Sequence, residues 1–217
     1  MAKKATTKST PRPAVTSLLT EAKMVNQLHW SYPDMQVYAE QEKVIHQLFR
    51  QVWAFQNTQL DVVRSKVGIL NVCYSTHIAA ITKMAQGICA LPNVDARLQS
   101  GDITLVTDIA NIIPERHNIS FASKYCACHN PKAFPIYDNF VSTTLAKIIA
   151  KGNLNGFCGT WTNVHKQMQH DYAYYKDVYD AFMTQYKLNS LTYRQVDWYI
   201  WTAVKCNMNQ LNLFQLV

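Results

Sequence analysis

Apolar side chains recur at helical spacing along most of the chain. Val44, Ile45, Leu48, Phe49 and Val52 fall on one face of a 3.6-residue period. Ile78, Ile81, Met84, Ala85 and Ile88 repeat that pattern behind a cap expected at Ser75 or Thr76. Asp102, after Gly101, stands as an N-cap before Ile103, Val106, Ile109, Ala110 and Ile113. Asp138 does the same before Val141, Thr144, Leu145, Ile148 and Ile149, and that run stops at Lys151 and Gly152, a cation and a glycine suited to a helix C-terminus. Thr192 and Gln195 have capping-box spacing and open a helix with Val196, Tyr199, Ile200, Ala203 and Val204 on one face. Period-two alternation is absent, so the pattern predicts an all-α fold. Breaks are expected at 31–33, 91–93, 130–135 and 152–159, and no repeat of solenoid period occurs. The last of these loops divides a central lobe from a tyrosine-rich C-terminal region, within a single helical domain over residues 14–217.

Composition narrows the class. Hydrophobic residues are 48% and charged residues 16% of the 217 positions, which is a globular and not a disordered balance. The formal charge of +7 favours a polyanionic partner. Part of that excess sits in residues 1–13, where Lys3, Lys4, Lys8 and Arg12 precede any acidic side chain, and this segment reads as a flexible basic tail without a secretory h-region. Polar residues interrupt every apolar run, which argues against a membrane span and points to a soluble, cytoplasmic protein. Cys73, Cys89, Cys126, Cys128, Cys158 and Cys206 form no C-x-x-C pair. Cys126, Cys128 and His129 cluster in sequence, but i and i+2 leave a helix on different sides, so buried thiols are expected and no metal site.

The stretch richest in chemistry runs from Ser120 to Asp138. Lys124 lies on a helical segment ending near His129; a loop stiffened by Pro131 and Pro135 follows, and Asp138 opens the next helix. Cleavage of an N-glycosidic bond develops positive charge on the sugar. A carboxylate stabilises that charge and orients a water, whereas a desolvated lysine attacks C1′ directly. Each residue also has a plainer role: Asp138 as a helix cap, Lys124 as a phosphate contact. Phe134 and Tyr137 either stack an extruded base or pack the core. His77 and His129 are either structural or substrate-facing. Tyr74, Ser75 and Thr76 either cap a helix or reach a flipped base. The helix from Tyr193 to Trp201 reads as amphipathic core, with Arg194, Asp197 and Lys205 facing solvent.

Lys124 on a helix, followed by Pro135-Ile-Tyr-Asp138 entering another, resembles the core of the helix-hairpin-helix (HhH-GPD) DNA glycosylases, over about residues 102–150. Tyr74 to Thr76, Asp95 to Asp102 and Tyr193 to Trp201 are similar to further bacterial proteins. The resemblance implies a two-lobed helical fold with a cleft, Asp138 as general base or electrostatic stabiliser, and Lys124 at the lyase-nucleophile position. Tyr74, Ser75, Thr76, His77, Ser123, His129, Phe134, Tyr137 and Asn139 then form the set expected to meet substrate or DNA. In place of the usual glycine-rich hairpin the chain has Ile113 to Ile119 without glycine, and the span from Lys124 to Asp138 is about a helical turn shorter than in lysine-using members. The expected activity is excision of a damaged or modified base, including a hypermodified viral cytosine in antiphage defence, leaving an abasic site. The expected partner is double-stranded DNA, bound by a monomer without cofactor. The alternatives are a non-catalytic helical DNA-binding module and a helical protein-interaction domain.

Overall fold

Short polar side chains begin the helices of the second half of this chain, and they do so largely where the sequence places them. Asp138 Oδ1 accepts from the backbone N–H groups of Phe140 (2.7 Å) and Val141 (3.4 Å), starting the helix Asn139–Ala150. Thr192 and Gln195 form a reciprocal capping box at the head of Tyr193–Lys205. Asp102 Oδ1 accepts from Thr104 N at 3.0 Å, although the first helical turn is Thr104–Ala110 and Ile103 occupies the cap position. Ser75 and Thr76 cap nothing. The following helix starts only at Ile81, behind Ala80, and Thr76 Oγ1 donates to Asn71 Oδ1. The earlier polar residues close a loop instead: Ser75 and His77 both take left-handed backbone conformations, φ 47° and 55°, and the chain between them is not helical.

The structure is a computed structural model that describes residues 15–29, 31 and 33–217; the basic segment 1–13 lies outside the described residues. Among these residues it is all-helical. In chain order the α-helices are α1 (Val15–His29), α2 (Pro33–Gln47), α3 (Leu60–Cys73), α4 (Ile81–Ala90), α5 (Val94–Ser100), α6 (Thr104–Ala110), α7 (Ile119–His129), α8 (Asn139–Ala150), α9 (Trp161–His170), α10 (Tyr172–Gln185) and α11 (Tyr193–Lys205). A π-helical turn, Leu48–Val52, continues α2, so the periodic run from Val44 to Val52 spans two helical geometries. No described helix is long and apolar enough to cross a membrane.

α7 is the central element. Its residues from Phe121 to Cys128 are all buried, and it packs against α2, the π turn, α3, α5 and α6. A helix enclosed on every side is expected to be apolar all round. Ser123 and Lys124 break that rule. The C-terminal half wraps this centre: α8 packs on α9, α10 and α11, and α11 lies against α1. A buried carboxylate holds the chain ends together, since Glu21 on α1 accepts from Tyr199 Oη on α11 and from Asn212 N (2.6 Å) and Leu213 N (3.2 Å) near the C-terminus. Three accepted bonds replace most of the hydrogen bonding that this carboxylate loses to water on burial.

Close approach at Gly87 seats α4 against the segment that precedes α7. A Cβ built there would lie 2.2 Å from Ile112 Cγ2. Ordinarily a glycine-to-alanine change within a helix stabilises by about 1 kcal/mol. Here Gly87→Ala is expected to lower the unfolding free energy by about 1–3 kcal/mol instead, because overpacking outweighs propensity; urea denaturation of the two proteins measures the sign.

Candidate active site

Lys124 and Asp138 open into one cavity. It has a volume of about 260 Å³ and is lined by Tyr74 and Ser75 from the turn after α3, Lys124 from α7, and Ile136 and Asp138 from the loop into α8. Arg194, Asp197, Trp198 and Trp201 of α11 and Tyr38 and Glu42 of α2 complete the wall. Ser123 explains how the loop is aimed: its Oγ accepts from Tyr137 N at 2.9 Å, one residue before Asp138. The carbonyls of Pro135 and Ile136 accept from Tyr172 Oη and Tyr175 Oη, each at 2.7 Å. The loop that presents the carboxylate is therefore fixed from α7 on one side and α10 on the other. Both cap bonds fall on Oδ1 of Asp138, which leaves the carboxylate anchored by one oxygen.

Lys124 is 7% exposed, and its Nζ donates to Ser120 Oγ at 2.6 Å. Burial lowers its pKa, opposed by the negative charges of Asp138 and Asp197. The same Nζ stands 6.0 Å from the centre of the Tyr74 ring. A desolvated amine beside a carboxylate and an aromatic wall is a combination that structural roles alone do not require.

An ion network forms the floor. Arg194 donates two bonds to Glu42, Nε to Oε1 at 2.7 Å and Nη2 to Oε2 at 2.9 Å, and its Nη1 donates to Asp197 Oδ2. The guanidinium is held above its usual pKa by these two carboxylates against the cost of burial. Burial pushes the Asp197 carboxyl up to about 6, although Arg194 pulls it down. Two buried oxygens at this site, Tyr74 Oη and Asp197 Oδ1, find no hydrogen-bond partner among the described residues. A wider groove of about 750 Å³ adjoins the cavity, sharing Glu42, Arg194 and Trp198 with it and carrying Lys43, Arg50 and Lys132 along its wall.

The remaining residues expected at the site go elsewhere. Thr76 is buried in its bond to Asn71, and His77 is exposed, its carbonyl accepting from Arg116 at 2.9 Å. Phe134 is a core residue. Tyr137 is also core, its ring 5.1 Å from that of Tyr175. Asn139 is exposed outside the cavity. His129 belongs to a separate polar cluster, where buried Lys66 Nζ donates to Trp53 O (2.9 Å) and Asn57 Oδ1 (2.7 Å) and lies 3.4 Å from His129 Nε2. Burial lowers Lys66 to about 8 and His129 well below its ordinary value. Cys126 and Cys128 are buried, with burial pushing Cys128 up to about 12. No group of three or more His, Cys, Asp or Glu among the described residues is arranged to hold a metal ion.

Arg194 and Asp197 are a correction. They turn inward instead of facing solvent, because a guanidinium with two carboxylate partners loses less on burial than a lone charge does. The signal was available as the i, i+3 pair Arg194 and Asp197 followed by Trp198 and Trp201, a charged and aromatic face on an otherwise apolar helix.

Two titrations here oppose one another. Asp197 has a raised folded pKa, so the folded state takes up its proton first and stability falls as pH rises from about 4 to about 6. Burial lowers His46, 3.5 Å from Glu42, to about 4, so the unfolded state takes up that proton first and stability rises over nearly the same window. His46→Gln removes only the second effect. Its unfolding free energy relative to wild type should increase as pH falls from 6.5 to 4, measured by denaturant titration at each pH.

Comparison with known proteins covers the first part of this architecture. Residues 21–133 match a family model described as HI_0787_N, N-terminal domain, and the matched stretch is just over half of the chain. The chain is similar to an uncharacterized protein of Haemophilus influenzae, 40% identical over 97 residues that make up 43% of this chain and 48% of that protein. The match thus spans about half the length of this relative. No solved structure matches. Glu42, Tyr74, Ser75 and Lys124 fall inside the family match, whereas Asp138, Arg194 and Asp197 lie beyond it. The chain belongs to the HI_0787_N domain family.

Proposed function

We propose that the protein is a DNA glycosylase that excises a damaged or modified base from double-stranded DNA and leaves an abasic site. One observation carries the reading: the buried amine of Lys124 and the carboxylate of Asp138 line the same 260 Å³ cavity. That volume lies just under the usual range of small-ligand pockets, roughly 300–1,000 Å³, which suits one flipped nucleotide base and little more. Tyr74, Trp198 and Trp201 supply flat apolar walls for a planar ring. The adjoining groove, with Lys43, Arg50 and Lys132, offers a cationic track for the strand that carries the target. In this reading the helices form two lobes with the cavity in the cleft between them, as the helix-hairpin-helix resemblance implies, and the protein acts as a monomer.

The chemistry follows from the two side chains. As the C1′–N bond breaks, its electron pair leaves with the base, and Asp138 faces the positive charge growing on the sugar. Water then attacks C1′, its proton passing to the Asp138 carboxylate and from there, through solvent, to the departing base, which restores the ionised carboxylate. Lys124, with its pKa lowered by burial, lines the same cavity but donates to Ser120 Oγ. We assign it to electrostatic support of the departing base and not to a covalent intermediate.

Oxidised, alkylated and virally hypermodified duplexes are the substrates to screen, with alkali revealing abasic sites as strand breaks. Asp138→Asn separates catalysis from capping, since asparagine caps about as well as aspartate. Excision should fall about a hundredfold or more, with stability changed by less than roughly 0.5 kcal/mol. Undiminished excision by Asp138→Asn, or no alkali-sensitive product from any duplex, would overturn the reading; salt-dependent DNA binding without product would leave a binding module.

A further inference from the structure

Two residues that line the cavity each carry a buried polar atom that the fold leaves without a described partner. Asp197 is 5% exposed, and Arg194 occupies its Oδ2, yet its buried Oδ1 has no partner among the described residues. Tyr74 Oη, in the wall of the same cavity, is in the same condition. Buried polar atoms are nearly always satisfied, and a buried carboxylate oxygen most of all, because its desolvation is the most costly. Charge decides what can satisfy this one. Glu42, Asp138 and Asp197 bring three carboxylates to the cavity against the cations of Lys124 and Arg194, so a phosphate is repelled from its inner end. A carboxylate accepts and never donates, so the missing partner is a donor. The aromatic walls of Tyr74, Trp198 and Trp201 demand that it be flat.

We propose that Asp197 reads the extruded base: its Oδ1 accepts from an amino or imino N–H of the heterocycle, and Tyr74 Oη donates to the ring nitrogen or carbonyl beside it. This rests on the glycosylase reading of the cavity and adds the edge chemistry of the base it accepts. Glu42 and Arg194 are positioning residues. The bidentate Glu42–Arg194 pair holds the guanidinium, and the guanidinium commits one oxygen of Asp197 and leaves the other without a described partner. Burial pushes the Asp197 carboxyl up to about 6, so at pH 7.5 a ligand meets the ionised acceptor. A base whose N–H groups are replaced by N-methyl groups cannot make this bond and meets a steric obstacle in its place.

Isothermal titration calorimetry at pH 7.5 tests the proposal without any need for turnover. The probes are 1-methylcytosine, 9-methyladenine and 9-methylguanine, whose methyl group stands for the sugar, each paired with its N4,N4-dimethyl, N6,N6-dimethyl or 1,N2,N2-trimethyl counterpart, which has no N–H left. At least one parent base is expected to bind the wild-type protein, with its methylated counterpart weaker by roughly tenfold to a hundredfold, the worth of a charge-assisted bond. Asp197→Asn keeps an oxygen for Arg194 and turns an amide N–H toward the cavity, so it should lose the parent base by a similar factor. Tyr74→Phe should lose less. Circular dichroism melting of Asp197→Asn checks that it still folds; should it fail to fold, the methylated counterparts on wild-type protein decide the matter alone. Equal binding of parent and methylated bases, equal binding by a folded Asp197→Asn, or no binding of any base overturns the proposal. Failure of excision assays together with Asp197-dependent base binding would instead sink the glycosylase reading and leave the base-recognition site standing.

Discussion

A guanidinium clamped between two carboxylates organises the cavity that holds Lys124 and Asp138. Arg194 on α11 reaches Glu42 on α2, 152 positions away in the chain, and Asp197 one turn along its own helix. Taking three charges out of water is costly, and the geometry offsets that cost only because the guanidinium fork meets the carboxylate with two parallel bonds. The network therefore fixes where α2 lies against α11. It also sets a wall of ionised groups beside a cavity that Tyr38, Tyr74, Trp198 and Trp201 line with aromatic rings.

Everything chemically notable in the cavity follows from that enclosure. Lys124 is desolvated because α7, which bears it, is covered on all sides, and its one described hydrogen-bond partner is the Ser120 hydroxyl. Asp138 is held by its helix cap and by a loop tied to Ser123, Tyr172 and Tyr175. Capping does not stand against the role proposed for that residue: the cap bonds take one oxygen and give the carboxylate a fixed direction. The loop carrying Ser75 and His77 pays for its position in backbone strain, both residues sitting at positive φ without being glycine. Of the two, Ser75 lines the cavity.

Much of the fold was legible in the chain. Asp138, the capping box at Thr192 and Gln195, and the stop at Lys151 and Gly152 are local devices, decided within one helical turn, and the structure has each of them where the residues place it. The all-helical class followed from a period that needs no tertiary information. Ser75 and Thr76 misled, because a polar pair before an apolar run looks like a cap whether or not the backbone can enter a helix there. Part of the site was legible for a similar reason. Lys124, Asp138, Tyr74 and Ser75 stood out by residue type and do converge. Phe134, Tyr137 and His129 stood out equally and went into the core or another cluster, since aromatic and imidazole rings serve packing as readily as recognition.

By itself, then, the order of residues settled periodicity, helix starts and stops, the net positive charge, and a lysine and an acid flanking a stiff loop. Only the tertiary structure decided that Arg194 and Asp197 turn inward, that Glu42 meets them, and that Tyr74 and Asp197, which line the cavity with Lys124, each keep a buried oxygen without a partner among the described residues. The reason is physical. Whether a charged side chain on an amphipathic helix is solvated or buried depends on whether an opposite charge awaits it across the interface, and that partner lies too far along the chain for any local pattern to announce.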